Sequence, residues 1–305
     1  MRIKGLLMCT ALTGAALMST FPAQAADTFP SQDACATTNN NMPSGNCGSF
    51  RQTFKENFNG DTVPLGKFSD CDHNVDTPQA YCGGLAAYPE YYANWWAYPT
   101  NWDDTAKSGA DGNDGAPYGG AYRADKTVSV SPNGYDGTGT MKVDMYRPAT
   151  GTDNYVAAMV PKKCMDQQYG KYSERFRVVR DDGGFKSAHL FYQGGQEIDF
   201  PENDYSGEIS AYTHPQGGNW STNEPWFNKT HTASVEWTPS KVKFFLDGKK
   251  IGEGATAMPA ASWILQNESS IEGPYAARGN HSILETSWVT CYKYDTALAK
   301  KAGKK

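Results

Sequence analysis

Beyond residue 25 the chain has no apolar run long enough to cross a bilayer, no convincing helix-period segment and no internal repeat. It also lacks a basic excess. Lys and Arg number 28 against 33 Asp and Glu, for a formal charge of −5. A nucleic-acid binder normally presents a basic face, so that class is set aside. No CxxC pair and no Cys/His spacing offers a zinc site, and no metal is assigned to the chemistry. Membrane insertion is not expected of the mature chain, and a monomer is.

Aromatics, by contrast, are plentiful: 13% of the chain, with 8 Trp and 18 Tyr. Such faces stack on sugar rings, and they also fill large β-cores. The N-terminus reads as an export signal over 1–25: Arg2 and Lys4, an apolar run from Leu6 to Met18, then the small-x-small site Ala23-Gln24-Ala25. The expected location is secreted or periplasmic. Removing the signal takes Cys9 with it and leaves Cys35, Cys47, Cys71, Cys82, Cys164 and Cys291. An even count in an exported chain predicts disulfides, although six cysteines allow 15 connectivities. Short loops favour Cys35–Cys47 and Cys71–Cys82, which leaves Cys164–Cys291.

Residues 26–50 read as an irregular arm, 51–296 as one domain and 297–305 as a basic, frayed tail. The domain is a series of short alternating segments broken by Gly, Pro, Asn and Asp. Tyr172, Glu174, Phe176 and Val178 share one strand face. Lys241 to Leu246, Asp247-Gly248 and Lys249 to Ile251 form a hairpin signal. Together these predict an all-β, two-sheet antiparallel sandwich.

The segment Gln196-Glu197-Ile198-Asp199-Phe200-Pro201-Glu202 concentrates three acids. In a strand, Glu197 and Asp199 point one way and Ile198 and Phe200 the other. Strict alternation turns Glu202 away. A β-bulge near Pro201 restores it to the acid face, and a proline inside a strand fits a bulge. Three acids on one groove floor suit glycosidic bond cleavage, in which retaining hydrolysis pairs a nucleophilic carboxylate with a carboxylic acid about 5–5.5 Å away.

The sequence Glu197-Ile198-Asp199-Phe200-Pro201-Glu202 resembles the E-x-D-x-x-E signature of glycoside hydrolase family 16. Tyr169 to Phe176, Val235-Glu236-Trp237-Thr238-Pro239 with the Phe244 to Gly248 hairpin, and Trp288 to Tyr292 resemble that family's flanking segments, in the same order. The resemblance spans roughly residues 54 to 295. It implies a concanavalin A-like jelly roll with a concave glycan-binding face. It also implies a retaining endo-β-glycanase acting on a β-glucan-type polysaccharide, with Glu197 as nucleophile, Glu202 as general acid/base and Asp199 as the residue that orients and tunes the nucleophile. Two departures bear on substrate. Phe185 to Phe191 stands where the family often has Trp-Pro-Ala-x-Trp, and His189 replaces a frequent tryptophan. A lectin-like sandwich without catalysis and a polysaccharide-remodelling transglycosylase are the alternatives.

Candidate glycan-contacting residues are the loop aromatics Trp95, Trp96, Tyr98 and Trp102, then His189, Tyr212, His214, Trp220 and Trp226. The acidic stretches at Asp103-Asp104 and Asp111 to Asp114 lack the spacing of a calcium loop and read as solvated turns. The chemistry needs no cofactor. Relatives of the family carry a structural calcium, for which Glu56 and Asp295 are the candidates here.

Overall fold

The computed structural model describes residues 41–73, 79–109, 119–255 and 257–303. The proposed export signal, Cys35 and Asp111 to Asp114 lie outside the described residues. Among the described residues eighteen strands appear in chain order: β1 Phe50–Glu56, β2 Cys71–His73, β3 Ala80–Cys82, β4 Trp95–Ala97, β5 Gly120–Tyr122, β6 Val128–Ser131, β7 Thr140–Tyr146, β8 Asn154–Pro161 and β9 Gly170–Asp181. There follow β10 Phe185–Gln193, β11 Gln196–Asp204, β12 Glu208–His214, β13 Gly218–Pro225, β14 Thr230–Trp237, β15 Val242–Leu246, β16 Lys249–Gly254, β17 Trp263–Ser269 and β18 His281–Tyr294.

Two antiparallel layers result. One runs β13-β12-β11-β10-β17-β8, the other β16-β15-β14-β9-β18-β7, and they join where Tyr146 of β7 pairs with Tyr155 of β8. Among the described strands, β5 pairs with β8 in parallel. Between the layers, Tyr172 meets Phe191 at 4.5 Å and Trp263 at 5.7 Å, and Phe200 meets Phe244 at 5.6 Å. Edge-to-face rings at these separations add to burial.

Turn chemistry sets the registers. Asp247 (φ 50°) and Gly248 (φ 79°) close the predicted β15–β16 hairpin with the mirror-image turn that suits strand twist. Gly194 (φ 62°) and Gly195 (φ 76°) do the same between β10 and β11, so the acid strand begins directly after a two-residue turn. The free edges β13 and β16 face each other across Trp220. A side chain at Gly252 would come within 2.4 Å of that indole, so glycine is required there.

The chain end differs from expectation. Thr296–Ala302 is a short helix whose first amides, Ala297 N and Leu298 N, are capped by Asp295, with Lys300 and Lys301 at its C-terminal end. No helix among the described residues is long and apolar enough to cross a membrane.

Cys71–Cys82 joins β2 to β3, and Cys164–Cys291 joins the turn after β8 to β18, with Cα atoms 6.0 Å apart across a sequence separation of 127. The second bond staples one layer to the other. Closing a loop of that length is worth about 4–5 kcal/mol in the chain-entropy account, so Cys164→Ser with Cys291→Ser is expected to lower the melting temperature by on the order of 10 °C. Thermal unfolding of this double variant, alongside thiol counting on unreduced protein, checks the assignment. Free thiols at both positions would refute it.

Candidate active site

The acid strand carries one extra residue. Leu190 of β10 pairs with Asp199 and Ala188 with Glu202, so the single residue His189 faces Phe200 and Pro201 together. On the other side Tyr212 pairs with Asp199 and Ser210 with Glu202. This is the bulge expected at Pro201, and the Phe200–Pro201 peptide is cis. Glu197, Asp199 and Glu202 therefore share one face, while Ile198 and Phe200 enter the core.

Across the strands, Glu197 lies between Tyr192 and His214, Asp199 between Leu190 and Tyr212, and Glu202 between Ala188 and Ser210. Asp199 is 2% exposed, and neither of its oxygens accepts a hydrogen bond from an N–H or O–H donor among the described residues. Burial, then the charges of Glu202 and Glu197, push its carboxyl well above the usual carboxylate range. Its side-chain hydrogen bond with Glu197 acts in the same direction. His214 stacks on Tyr212 with ring centroids 6.1 Å apart, and its Nε2 is 3.7 Å from Asp199 Oδ2. Lys186 Nζ is 2.9 Å from Glu202 Oε1.

Glu197, Asp199 and His214 each offer one ligand atom within 4.8 Å of the others. Glu56 and Asp295 do not converge on a calcium site. Glu56 Oε1 accepts from Phe58 N at 2.8 Å near one end of β1. Asp295 pairs with Arg51 and caps the terminal helix at the other end, about 17 Å along the strand.

The candidate glycan contacts divide. Trp95 and Trp96 are neighbours in β4, so alternation sends them to opposite faces. Trp95 is fully buried against Phe54 and Phe58. Trp96 lies on the acid face, four strands from β11 or about 19 Å at usual strand spacing. Ring contacts of 5.5 and 5.6 Å link it through Tyr98 to Trp102, which is 51% exposed. Tyr212 and His214 border the acids. Three calls are corrected along with Trp95. His189 points between the layers, where its Nδ1 meets Glu174 Oε1 at 2.6 Å. Trp220 closes the gap between edge strands against Phe244, and Trp226 is buried against Phe176 and Tyr205. Each sits at a pleat position opposite to the acids or inside the core. Asp104 is also corrected: it is fully buried and accepts hydrogen bonds from Lys107, Gly120 and Ser269 amides.

Sequence reasoning passed over Tyr192 and Lys186, which lie on the acid face of β10. Tyr192, 55% exposed, sits opposite Glu197. Counting alternate positions back from the Gly194-Gly195 turn locates both.

Residues 137–263, which contain all three acids, match the model of Glycosyl hydrolases family 16. No curated protein matches the chain in sequence. Among solved structures, SCLam, a non-specific endo-β-1,3(4)-glucanase, is 16% identical over 85% of this chain and 97% of its own, with a TM-score of 0.55. A laminarinase from Flavobacterium sp. UMI-01 is 14% identical over 80% and 100%, at 0.53. LamAcat from Zobellia galactanivorans is 18% identical over 79% and 97%, at 0.54. At such identities the likeness is one of fold. The fold, the acid strand and the matched stretch agree: residues 137–263 are similar to the Glycosyl hydrolases family 16.

Proposed function

We propose that the chain is an endo-acting, retaining hydrolase of an uncharged β-glucan. The observation that carries this reading is the bulge at Phe200–Pro201, which aligns Glu197, Asp199 and Glu202 on one face. In the first step the Glu197 carboxylate attacks the anomeric carbon while Glu202 protonates the departing glycosidic oxygen. A glycosyl ester on Glu197 and a shortened chain result. In the second step Glu202, now a carboxylate, takes a proton from water, which attacks the same carbon and frees Glu197. Neutral Asp199 holds the nucleophile by a hydrogen bond.

The charge pattern supports a neutral glycan. Glu197, Asp199, Glu202, Asp204 and Glu268 share the acid face, and the one ammonium on those strands, Lys186, is engaged by Glu202. A sulfated or uronic chain would meet repulsion there. Glucan-degrading relatives of the same fold point to β-1,3 or β-1,4 linkages. Tyr192, Tyr212 and the more distant Trp102 offer ring faces along the groove. The export-type N-terminus and the disulfides support work outside the cytoplasm.

Replacement of each glutamate tests the roles. Glu197→Ala is expected to lose roughly 10⁴-fold or more on a soluble β-1,3(4)-glucan. Azide should restore cleavage of an aryl glycoside and give the inverted glycosyl azide. Glu202→Ala should keep attack on dinitrophenyl glycosides, accumulate the covalent intermediate, and give the retained azide product. Product anomers read by NMR decide; exchanged stereochemistry would swap the roles, and full activity in both variants would move the site elsewhere.

Asp199 adds a pH signature. Its carboxyl is raised in the fold, so its contribution to stability is present below about pH 4 and is lost as pH rises toward its folded value. Asp199→Asn removes that cost. Its melting temperature should exceed the wild type's by an amount that grows from pH 4 to 7, reaching at least about 2–4 °C, while activity falls. Melting curves that keep a constant offset across this range would contradict a neutral Asp199.

A further inference from the structure

Glu202 has a part-buried partner that the acid motif does not contain. Lys186 stands on the same face of β10, two residues from Ala188, the position opposite Glu202. Its Nζ lies 2.9 Å from Glu202 Oε1, with the two side chains 12% and 16% exposed. Lys186 also faces Asp204 on β11 and Glu268 on β17 across the strands. Those two carboxylates have other donors. Asp204 accepts from Ser270 Oγ, and Glu268 accepts from Thr105 N, Thr105 Oγ1 and Tyr122 Oη. Lys186 is the one hydrogen-bond donor that reaches Glu202 among the described residues.

A part-buried charge-assisted hydrogen bond fixes both ends. Glu202 extends from a bulged, half-exposed part of its strand, where a free carboxyl would sample several rotamers. The ammonium removes that freedom. It also lies where charge changes. When Glu202 passes its proton to the glycosidic oxygen, as the C–O bond breaks and the bond to Glu197 forms, a negative charge appears on Glu202 beside Nζ. A preorganised cation stabilises that charge as it develops. In the second half-reaction Glu202 takes a proton from water and loses the charge, so the same cation opposes that step.

We propose that Lys186 is the positioning residue of Glu202, favouring proton donation to the leaving group at some expense to the activation of water. The proposal rests on the role given to Glu202 above.

Leaving-group dependence separates this from a structural role. The probes are a soluble β-1,3(4)-glucan, whose departing sugar needs protonation, and a 2,4-dinitrophenyl β-oligoglucoside, whose phenolate does not. Lys186→Met and Lys186→Gln should each lose roughly 10- to 100-fold in kcat/KM on the glucan, the worth of one charge-assisted hydrogen bond. On the dinitrophenyl substrate kcat/KM should stay near the wild-type value, and less covalent intermediate should accumulate. Lys186→Arg, which keeps the charge, should recover part of the glucan activity. Equal loss on both substrates, or undiminished glucan activity with Lys186→Gln, overturns the proposal. Glucan activity that survives Glu202→Ala instead overturns the underlying assignment of Glu202, and the two failures are distinct.

Discussion

The site depends on a single inserted residue. A strand alternates its side chains, so acids at 197, 199 and 202 cannot share a face in a regular ladder. The insertion opposite His189 absorbs the odd spacing. It lets Phe200 reach Phe244 in the core while Glu202 returns to the groove. Without it, Glu202 would be driven toward the space between the layers, where an unpaired carboxylate is costly. Both neighbouring strands keep their pairing on either side of the bulge, so the fold holds the acids in line by main-chain register. Side-chain packing has little of this to do.

Gathering carboxylates on one face raises an electrostatic problem, and the structure meets it in three ways. At Asp199, the most buried, desolvation and the charges of its neighbours push the carboxyl well above the usual range. Glu202 is paired with Lys186. Glu268 is met by Thr105 and Tyr122 donors, and Asp104, near it, is pushed up by burial and by the charge of Glu268. These last contacts tie the segment after β4 to β17, so part of the aromatic edge is anchored through the same acids.

Much of this was legible in the sequence. Alternation in Tyr172 to Val178, the Asp247-Gly248 turn and the proline in the acid run each follow from local rules, and the observed strands, hairpin and bulge obey them. The aromatic assignments were less legible, because density of tryptophan says nothing about which face a ring takes. Trp95, Trp226, Trp237, Trp263 and Trp288 are all fully buried. Trp95 and Trp96 separate by alternation alone, and Trp220 is placed by the meeting of two edge strands distant in sequence. The terminal helix had a local signal that was passed over: Asp295 as cap and lysines at the far end of a short alanine-containing run. Asp104 had none, since its burial depends on Gly120 and Ser269 closing over it.

The acid face is also unequal at its two ends. At Glu197 the neighbours are Tyr192, Tyr212 and His214, rings partly open to solvent beside a tight glycine turn. At Glu202 they are Lys186, Asp204 and Glu268, charged groups in a more enclosed place. A nucleophile needs a sugar held face-on and an unobstructed approach, which rings and a short turn provide. A proton donor needs a fixed direction and a compensating charge that is ready before the proton moves, which an enclosed ammonium provides. Reversing the proposed roles would put the donor among rings and the nucleophile against a cation that weakens its attack. The distribution of charge along this face thus fits the roles proposed for the two glutamates, which lie one to either side of Asp199.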